Sequence, residues 1–182
     1  GGAAGMFAAI FAAYNGNEVN IFEKNKKLGK KLFITGKGRC NITNASDMET
    51  LFSSVVTNSK FLYSSFYGYT NQDVIEFFER IGVKTKIERG NRVFPLSDHS
   101  SDVIVGLTRE LQQLGVEIHL HTAVKRIVGN ERFEYLELQN GTRVEGDACI
   151  VATGGFSYQT TGSTGDGYRF AKELGHQVTE IL

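Results

Sequence analysis

Residues 2–5 read Gly-Ala-Ala-Gly and lead straight into an alanine-rich apolar run, Met6 to Ala13, which Asn15-Gly16 ends. Clustered glycine means that the backbone must turn sharply or approach something closely. The run has the composition of a helix apolar on nearly every side, hence a buried one. Val19-Asn20-Ile21-Phe22 then reads as a short strand finishing at Glu23. Turn, helix, strand and terminal acid make half of a βαβ unit. Gly2 and Gly5 have the spacing of the second and third glycines of the G-x-G-x-x-G turn, with the first glycine and its strand expected before residue 1. In such a turn Gly2 lets the backbone approach a pyrophosphate at the helix start, Ala3 and Ala4, and Gly5 allows close helix-to-strand packing. A glycine- and alanine-rich helix start with no ligand is the alternative.

Glu23 favours the ligand. It lies about 20 residues beyond the turn at the end of the next strand, where a carboxylate accepts hydrogen bonds from the adenosine ribose hydroxyls and repels a 2′-phosphate. The site therefore suits FAD or NAD better than NADP, with Lys24 following at the same strand end.

Composition narrows the class. The 182 residues carry 20 Lys+Arg against 20 Asp+Glu, so no net field draws the chain to nucleic acid or to an anionic membrane. The two cysteines, Cys40 and Cys149, form no CxxC pair, which argues against a disulfide scaffold or a dithiol centre and fits a reducing cytosol. No apolar stretch approaches the ~20 residues of a membrane span, and no leader pattern opens the chain, so a cytoplasmic protein is expected. His99, His119, His121 and His176 lack a cysteine or carboxylate cluster to complete a shell, and no metal is expected. The skew is in glycine, 21 against one proline, clustered at Gly36-Lys37-Gly38, Gly154-Gly155 and Gly162 to Gly167. Such clusters at the ends of apolar runs suit a ligand touched mostly by backbone.

Downstream, Lys24 to Asn44 reads as a long basic loop with one helical turn. Ser46-Asp47 cap a short helix, an aromatic helix runs from Asn58 through Phe66, and Thr70 or Asn71 opens a helix to Ile81 that Gly82 stops. Val83 to Glu88 and Arg92 to Phe94 read as strands. Ser101-Asp102 start a helix through Leu114, and Val116 to Leu120 is the strand after it. Ala123 to Val128, Phe133 to Gln139 and Thr142 to Glu145 form a β-meander whose last turn is Asn140-Gly141. Ala148 to Ala152 is an unbroken apolar run before Thr153-Gly154-Gly155, as expected of a buried parallel strand. A closing helix spans Gly167 to Leu174. With no repeat or linker in this order, a single domain over residues 1–182 is expected. Its class is α/β: a Rossmann-like FAD/NAD(P)-binding three-layer (ββα) domain with an antiparallel β-meander and a helical insertion, incomplete at both ends.

The segment Gly29-Lys30-Lys31-Leu32-Phe33-Ile34-Thr35-Gly36-Lys37-Gly38-Arg39-Cys40-Asn41-Ile42-Thr43-Asn44 is similar to the G-K-K-L-x-x-T/S-G-x-G-R-C-N-x-T-N signature of a bacterial family. These are the BaiN-like, or aminoacetone-oxidase-like, NAD(P)/FAD-dependent oxidoreductases. Arg92 to Asp98, and Ala152 to Gly155 continuing to Thr161–Tyr168, resemble the same family, so the likeness runs along essentially the whole chain. It implies an FAD-dependent oxidoreductase reduced by NADH or NADPH and acting on a small molecule. Members of that family are much longer, with an inserted portion covering the flavin and a later strand that returns to it. The residues here are therefore expected to be an excerpt whose activity belongs to a larger polypeptide.

The resemblance also places a cofactor-contacting set. In the signature loop, entered at Thr35, Gly36 and Gly38 allow backbone N–H groups to face an anion or ring edge. Arg39 and Lys31 can neutralise pyrophosphate or a reduced flavin, and Asn41 and Thr43 offer neutral donors. A basic surface loop with Cys40 packed beneath it is the alternative, and no sequence-adjacent histidine supports a nucleophilic Cys40. Ala123-Val124 resembles the strand start where such flavoproteins hold the adenine edge, although an ordinary strand start reads the same. Ala152-Thr153-Gly154-Gly155 sits where open α/β sheets bind ligands and resembles the family's second dinucleotide contact. Asp166 lies in the adjoining loop, with helix capping as its other reading. No catalytic acid/base pair or triad emerges, which agrees with a flavin performing the redox step. Two competing functions remain open. A flavin-dependent RNA methyl-group transferase needs an electropositive surface, against which zero net charge counts. A non-catalytic nucleotide-binding module would hold FAD without its reduction by NADH or NADPH.

Overall fold

The computed structural model describes residues 1–180. Its elements run α1 (Ala3–Tyr14), β1 (Asn20–Phe22), α2 (Lys30–Ile34), β2 (Thr43–Asn44), α3 (Met48–Ser53), α4 (Tyr63–Gly68), α5 (Asn71–Arg80), β3 (Thr85–Glu88) and β4 (Arg92–Pro95). They continue with α6 (Ser100–Gln113), β5 (Glu117–His119), β6 (Val124–Gly129), β7 (Phe133–Leu138), β8 (Arg143–Glu145) and α7 (Asp166–Glu173). The chain divides into two compact units, Gly1–Lys31 with Thr108–Leu182, and Leu32–Leu107.

In the first unit β1 and β5 pair in parallel, Ile21 opposite Ile118 and Phe22 opposite His119. Parallel neighbours cannot be joined by a tight hairpin. Here the connection, residues 23–116, contains the whole of the second unit. The meander is antiparallel, with Leu136 of β7 opposite both Ile127 of β6 and Val144 of β8. Alternation along β7 buries Leu136 and Leu138. Ile127 and Leu136 pack with Phe170 of α7, and Phe22 and Cys149 close that cluster. This is the expected mixed α/β, Rossmann-like architecture: a parallel pair with helices, joined by antiparallel sheets.

Two expectations need correction. Helix α1 is not buried all round: Met6, Ala9 and Ile10 share one buried face, while Phe7 and Phe11 are only half-buried. Its apolar character comes largely from alanine, whose small side chain loses little when left in water. Ala148 to Ala152 is not a buried strand. No strand is formed there, and Ile150 and Val151 are 66% and 46% exposed. Among the described residues no neighbouring strand supplies a ladder for that backbone, and an apolar run alone does not make a strand.

The second unit is built on a sheet in the order β2-β4-β3 with antiparallel pairs. Val93 and Phe94 of β4, Phe77 and Phe78 of α5, and Val103 and Leu107 of α6 are among its buried apolar residues. Helix starts follow the sequence signals. Asp47 accepts from the Thr50 N–H at 2.8 Å, and Thr70 with Asp73 forms a reciprocal capping box. The aromatic stretch after Asn58 is broken rather than one helix, a 3-10 turn at Ser59–Leu62 preceding α4. Among the described residues no helix is long and apolar enough to cross a membrane.

Candidate functional site

The glycine turn and the acid are brought together. Gly1 lies against Glu23, its backbone nitrogen 3.0 Å from Oε2, and its carbonyl accepts from the Gly29 N–H at 2.8 Å. Helix α1 starts from Gly2 with no side-chain cap, and a Cβ on Gly2 would meet nothing within 4 Å. Both α3 and α5 spend a side chain on that task, whereas no side chain caps α1. A helix start of this kind attracts an anion. Gly5 packs closely, a Cβ there falling 3.4 Å from the Ala152 Cβ.

Glu23 sits just beyond β1, its side chain 13% exposed. Burial would raise its carboxyl, but hydrogen bonding, first from the Asn25 backbone N–H and then from the Asn25 amide, holds the group below the ordinary carboxylate range. Oε1 accepts from both Asn25 nitrogens at 2.7 Å. Glu23 is thus ionised, an acceptor-only group suited to ribose hydroxyls.

The stretch after Glu23 is laced to the loop after Ala152. Lys24 Nζ donates to Asp166 Oδ2 at 2.6 Å and Thr164 Oγ1 at 2.8 Å. Lys30 Nζ donates to the Thr160 carbonyl at 2.6 Å, and Lys31 Nζ to Ser157 Oγ at 3.2 Å. Glycines make this closeness possible. A Cβ on Gly162 would stand 2.7 Å from Asn25 Nδ2, and one on Gly167 2.7 Å from Thr153 Oγ1. Gly154 has a left-handed φ of 74°, and a Cβ there would fall 2.7 Å from Ser163 Oγ. A Cβ on Gly155 would stand 3.2 Å from the Tyr168 hydroxyl. Asp166 is not the cap of α7; that position is Gly165, and the Asp166 carboxylate serves Lys24 instead. Burial raises its carboxyl, yet Lys24 and Thr164 bring it below the ordinary range.

The meander start offers less. Ala123 gives its carbonyl to the Gln139 N–H at 2.9 Å, and Val124 is in register with Leu138. Nearby, His119 stacks on Phe22 with centroids 4.8 Å apart and meets Asn20 Oδ1 at 2.8 Å. Among the described residues no group of three or more metal-ligating side chains is gathered.

In the second unit the signature loop turns through left-handed residues: Gly36 (φ 54°), Lys37 (58°), Gly38 (85°) and Cys40 (60°). A Cβ on Gly36 would come 3.0 Å from the Asn41 N. The N–H groups of Arg39 and Cys40 are spent inside the turn, on the Gly36 and Thr35 carbonyls. Thr35 Oγ1 donates to the Leu32 carbonyl at 2.7 Å, and the Asn41 amide to the Thr43 and Val93 carbonyls at 2.8 and 3.0 Å. Arg39 is clamped by Asp98, through Nε at 2.8 Å, and by Glu88 at 2.5 Å, with its guanidinium 4.2 Å from the Phe94 ring centroid. Lys86 joins both carboxylates, so two cations face two anions. Cys40 is buried, and that burial pushes its thiol up, with Thr35 opposing by a hydrogen bond. A raised, enclosed thiol is a packing group rather than a nucleophile.

The sequence model described as HI0933-like protein Rossmann domain matches residues 1–181, spanning both units. The chain belongs to the HI0933-like Rossmann domain family. This is the BaiN-like flavoprotein family that the signature loop resembles. The chain is 33% identical over 186 residues to the 3-dehydro-bile acid delta(4,6)-reductase of Clostridium scindens, which covers 100% of the chain and 44% of that protein. It is 31% identical over 180 residues to the ribosomal RNA dihydrouridine synthase of Haemophilus influenzae, covering 97% of the chain and again 44% of the relative. The chain therefore spans less than half the length of these HI0933-like relatives. Among solved structures, the 3-ketosteroid-delta4-(5alpha)-dehydrogenase of Rhodococcus jostii RHA1 has the same fold, with TM-score 0.61 at 16% identity over 86% of this chain and 45% of that one.

Several residues of this HI0933-like site carry no signal in the sequence. Asn25 and Ser157 have roles set by contacts between segments more than 100 residues apart, Asn25 with the Thr161 carbonyl and Ser157 with Lys31, while Lys30, inside the signature segment, reaches Thr160 at a separation of 130. Ser163 lies inside the family-like stretch from Thr161 to Tyr168, which singles out the loop but not the residue.

Proposed function

We propose that this chain is the FAD-binding part of a flavin-dependent oxidoreductase. The carrying observation is that the first unit brings together the uncapped turn at Gly2, the ionised Glu23 and, through the Gly5–Ala152 approach, the closely packed glycine loop at Gly154. The residues fit a dinucleotide. Gly2, Ala3, Ala4 and Gly5 would receive the pyrophosphate, Glu23 the adenosine ribose, and Lys24, Lys31, Thr153, Gly154 and Gly155 the facing side. In the second unit, Thr35, Gly36, Gly38, Arg39, Cys40 and Asn41 form a loop whose polar groups are largely satisfied within that unit. Bound FAD supplies two-electron hydride chemistry, while the chain binds, orients and excludes water.

The electron donor in this reading is NADH or NADPH. The acceptor carries a carbon–carbon double bond activated by a carbonyl, the feature common to a delta(4,6)-reductase and a dihydrouridine synthase by their names. A small-molecule acceptor is preferred, since the chain has zero formal net charge and RNA binding draws on a basic surface. A ribosomal-RNA acceptor is the second reading, favoured by the relatives named for it. Anaerobic titration of the intact protein with NADH and then NADPH tests the oxidoreductase: the flavin absorbance should bleach with one of them. A bound flavin that neither reduces would leave a nucleotide-binding module instead. Salt-sensitive retention of ribosomal RNA would favour the second acceptor over the first.

A further inference from the structure

An ionised carboxylate accepts through about four lone-pair sites on two oxygens, so whatever holds one oxygen decides what a ligand can reach on the other. At Glu23 a single residue does the holding. Oε1 accepts from the backbone N–H of Asn25 at 2.7 Å and from the Asn25 side-chain amide, also at 2.7 Å, so both sites on that oxygen are taken. Oε2 looks to the glycine turn, 3.0 Å from the Gly1 backbone nitrogen, and keeps a lone pair for a ligand hydroxyl.

Asn25 is itself held from far along the chain. Its amide nitrogen has a second hydrogen. That hydrogen goes to the Thr161 carbonyl at 3.2 Å, 136 residues away. Asn25 Oδ1 lies 3.4 Å from Lys30 Nζ, and the Asn25 backbone carbonyl accepts from the His121 N–H at 3.1 Å. Every polar atom of Asn25 thus has a partner. Gly162 leaves the space for this side chain: a Cβ there would stand 2.7 Å from Asn25 Nδ2, and φ is 102°. Thr161 is buried, and its hydroxyl donates to the Tyr158 carbonyl at 2.7 Å, which steadies the residue that receives Asn25. Water could satisfy the same amide, so the net gain of each bond is modest. What the clamp adds is direction.

We infer that Asn25 is the positioning residue of the ribose site, occupying Glu23 Oε1 so that Oε2 alone is presented to a ribose hydroxyl. The inference rests on the FAD reading and deepens it, since Asn25 acts through Glu23 and not on the cofactor. Aspartate has the same shape with the opposite hydrogen-bonding sense. Asn25→Asp would set an oxygen where Nδ2 now stands, 2.7 Å from Oε1 and 3.2 Å from the Thr161 carbonyl, with no hydrogen for either. Two carboxylates so placed share one proton rather than both ionise. The other charged groups around the pair are Lys30, and Lys24, which Asp166 holds at 2.6 Å.

The test measures binding of FAD, ADP and 2′-deoxy-ADP to the intact protein by isothermal titration, for wild type, Asn25→Ala and Asn25→Asp, at about pH 8 and about pH 5. Wild type should bind ADP about tenfold more tightly than 2′-deoxy-ADP, the size expected for one hydroxyl bonded to a charged group. In Asn25→Ala that preference should fall below about threefold, because FAD and ADP weaken while 2′-deoxy-ADP changes little. Measured against wild type at the same pH, Asn25→Asp should bind ADP about tenfold more weakly at the higher pH and regain most of the loss at the lower. There the shared proton returns a donor to Oε1; Asn25→Ala should show no such recovery. An ADP preference that Asn25→Ala leaves unchanged, or that wild type lacks, overturns the inference while leaving the FAD reading intact. An equal loss for ADP and 2′-deoxy-ADP, or variants too unstable to bind either, makes Asn25 merely structural and overturns it too. So does an Asn25→Asp deficit that is the same at both pH values. A wild type that binds neither FAD nor ADP overturns the FAD reading, and the positioning role with it.

Discussion

Gly5 and Ala152 stand in direct contact, the Cβ position on the glycine lying 3.4 Å from the Ala152 Cβ. This contact sets the start of α1 beside the apolar run that leads to Gly154. One methyl group fits at that distance, so Gly5→Ala should fold with unchanged or slightly higher stability, by up to about 1 kcal/mol from helix propensity. Gly5→Leu has no room and should lose about 1–3 kcal/mol. Urea unfolding of the two variants checks both, and a neutral leucine would show that the contact is not tight.

Gly106 is a sharper case. A Cβ there would fall 2.3 Å from Val83 Cγ2, and Val83 is itself buried. Gly106→Ala should therefore destabilise by about 1–3 kcal/mol despite alanine's better helix propensity. Thermal unfolding gives the sign directly.

Lys37 is exposed and holds a left-handed φ of 58°. A non-glycine residue there costs about 1–2 kcal/mol. Lys37→Gly should recover part of that, raising stability by about 0.5–1 kcal/mol. A loss in urea unfolding would mean that the lysine side chain holds the loop.

The four-charge cluster gives a pH dependence. Hydrogen bonding to Arg39 holds Glu88 below its ordinary range, and bonding to Lys86 and Arg39 does the same for Asp98. A carboxyl depressed in the folded state stabilises above its unfolded pKa, about 3.9 for Asp and 4.3 for Glu, and that stabilisation is lost as pH falls through the folded values. The melting temperature should hold from pH 7 to about 5 and drop below about pH 4. Glu88→Gln with Asp98→Asn should reduce that drop, and added salt should weaken the effect. An acid transition of the same size in the double variant would assign it to other carboxylates.

Both thiols should be sluggish. Burial raises Cys40 and Cys149 alike. Modification by a disulfide reagent at pH 7–8 should be far slower in the native protein than after unfolding, and fast labelling of Cys40 would restore it as a candidate nucleophile.

Much of the fold was readable because its signals are local. The Thr70 and Asp73 pair lies within one helical turn, Asn140-Gly141 fixes the last hairpin, and Gly2 to Glu23 falls within one short unit. What was not readable depends on partners far along the chain. Arg39 has the charge for a phosphate, yet Glu88 and Asp98, 49 and 59 residues away, claim it. Ala148 to Ala152 has the composition of a core strand, but composition does not provide a neighbouring ladder. Asp166 looks like a helix cap until Lys24, 142 residues earlier, meets it. Glycine was the most informative residue type. Its clusters marked the turn and the loop at Gly154, although the side chains packed against that loop, Ser163 among them, became visible only once the two segments were set together.

The central claim is that this chain helps to hold FAD, and the most direct measurement is the visible absorption spectrum of the intact protein, purified and then supplied with FAD. The expected result is the two-band spectrum of bound flavin, with one FAD per chain released on denaturation. A colourless protein that takes up no FAD would contradict it.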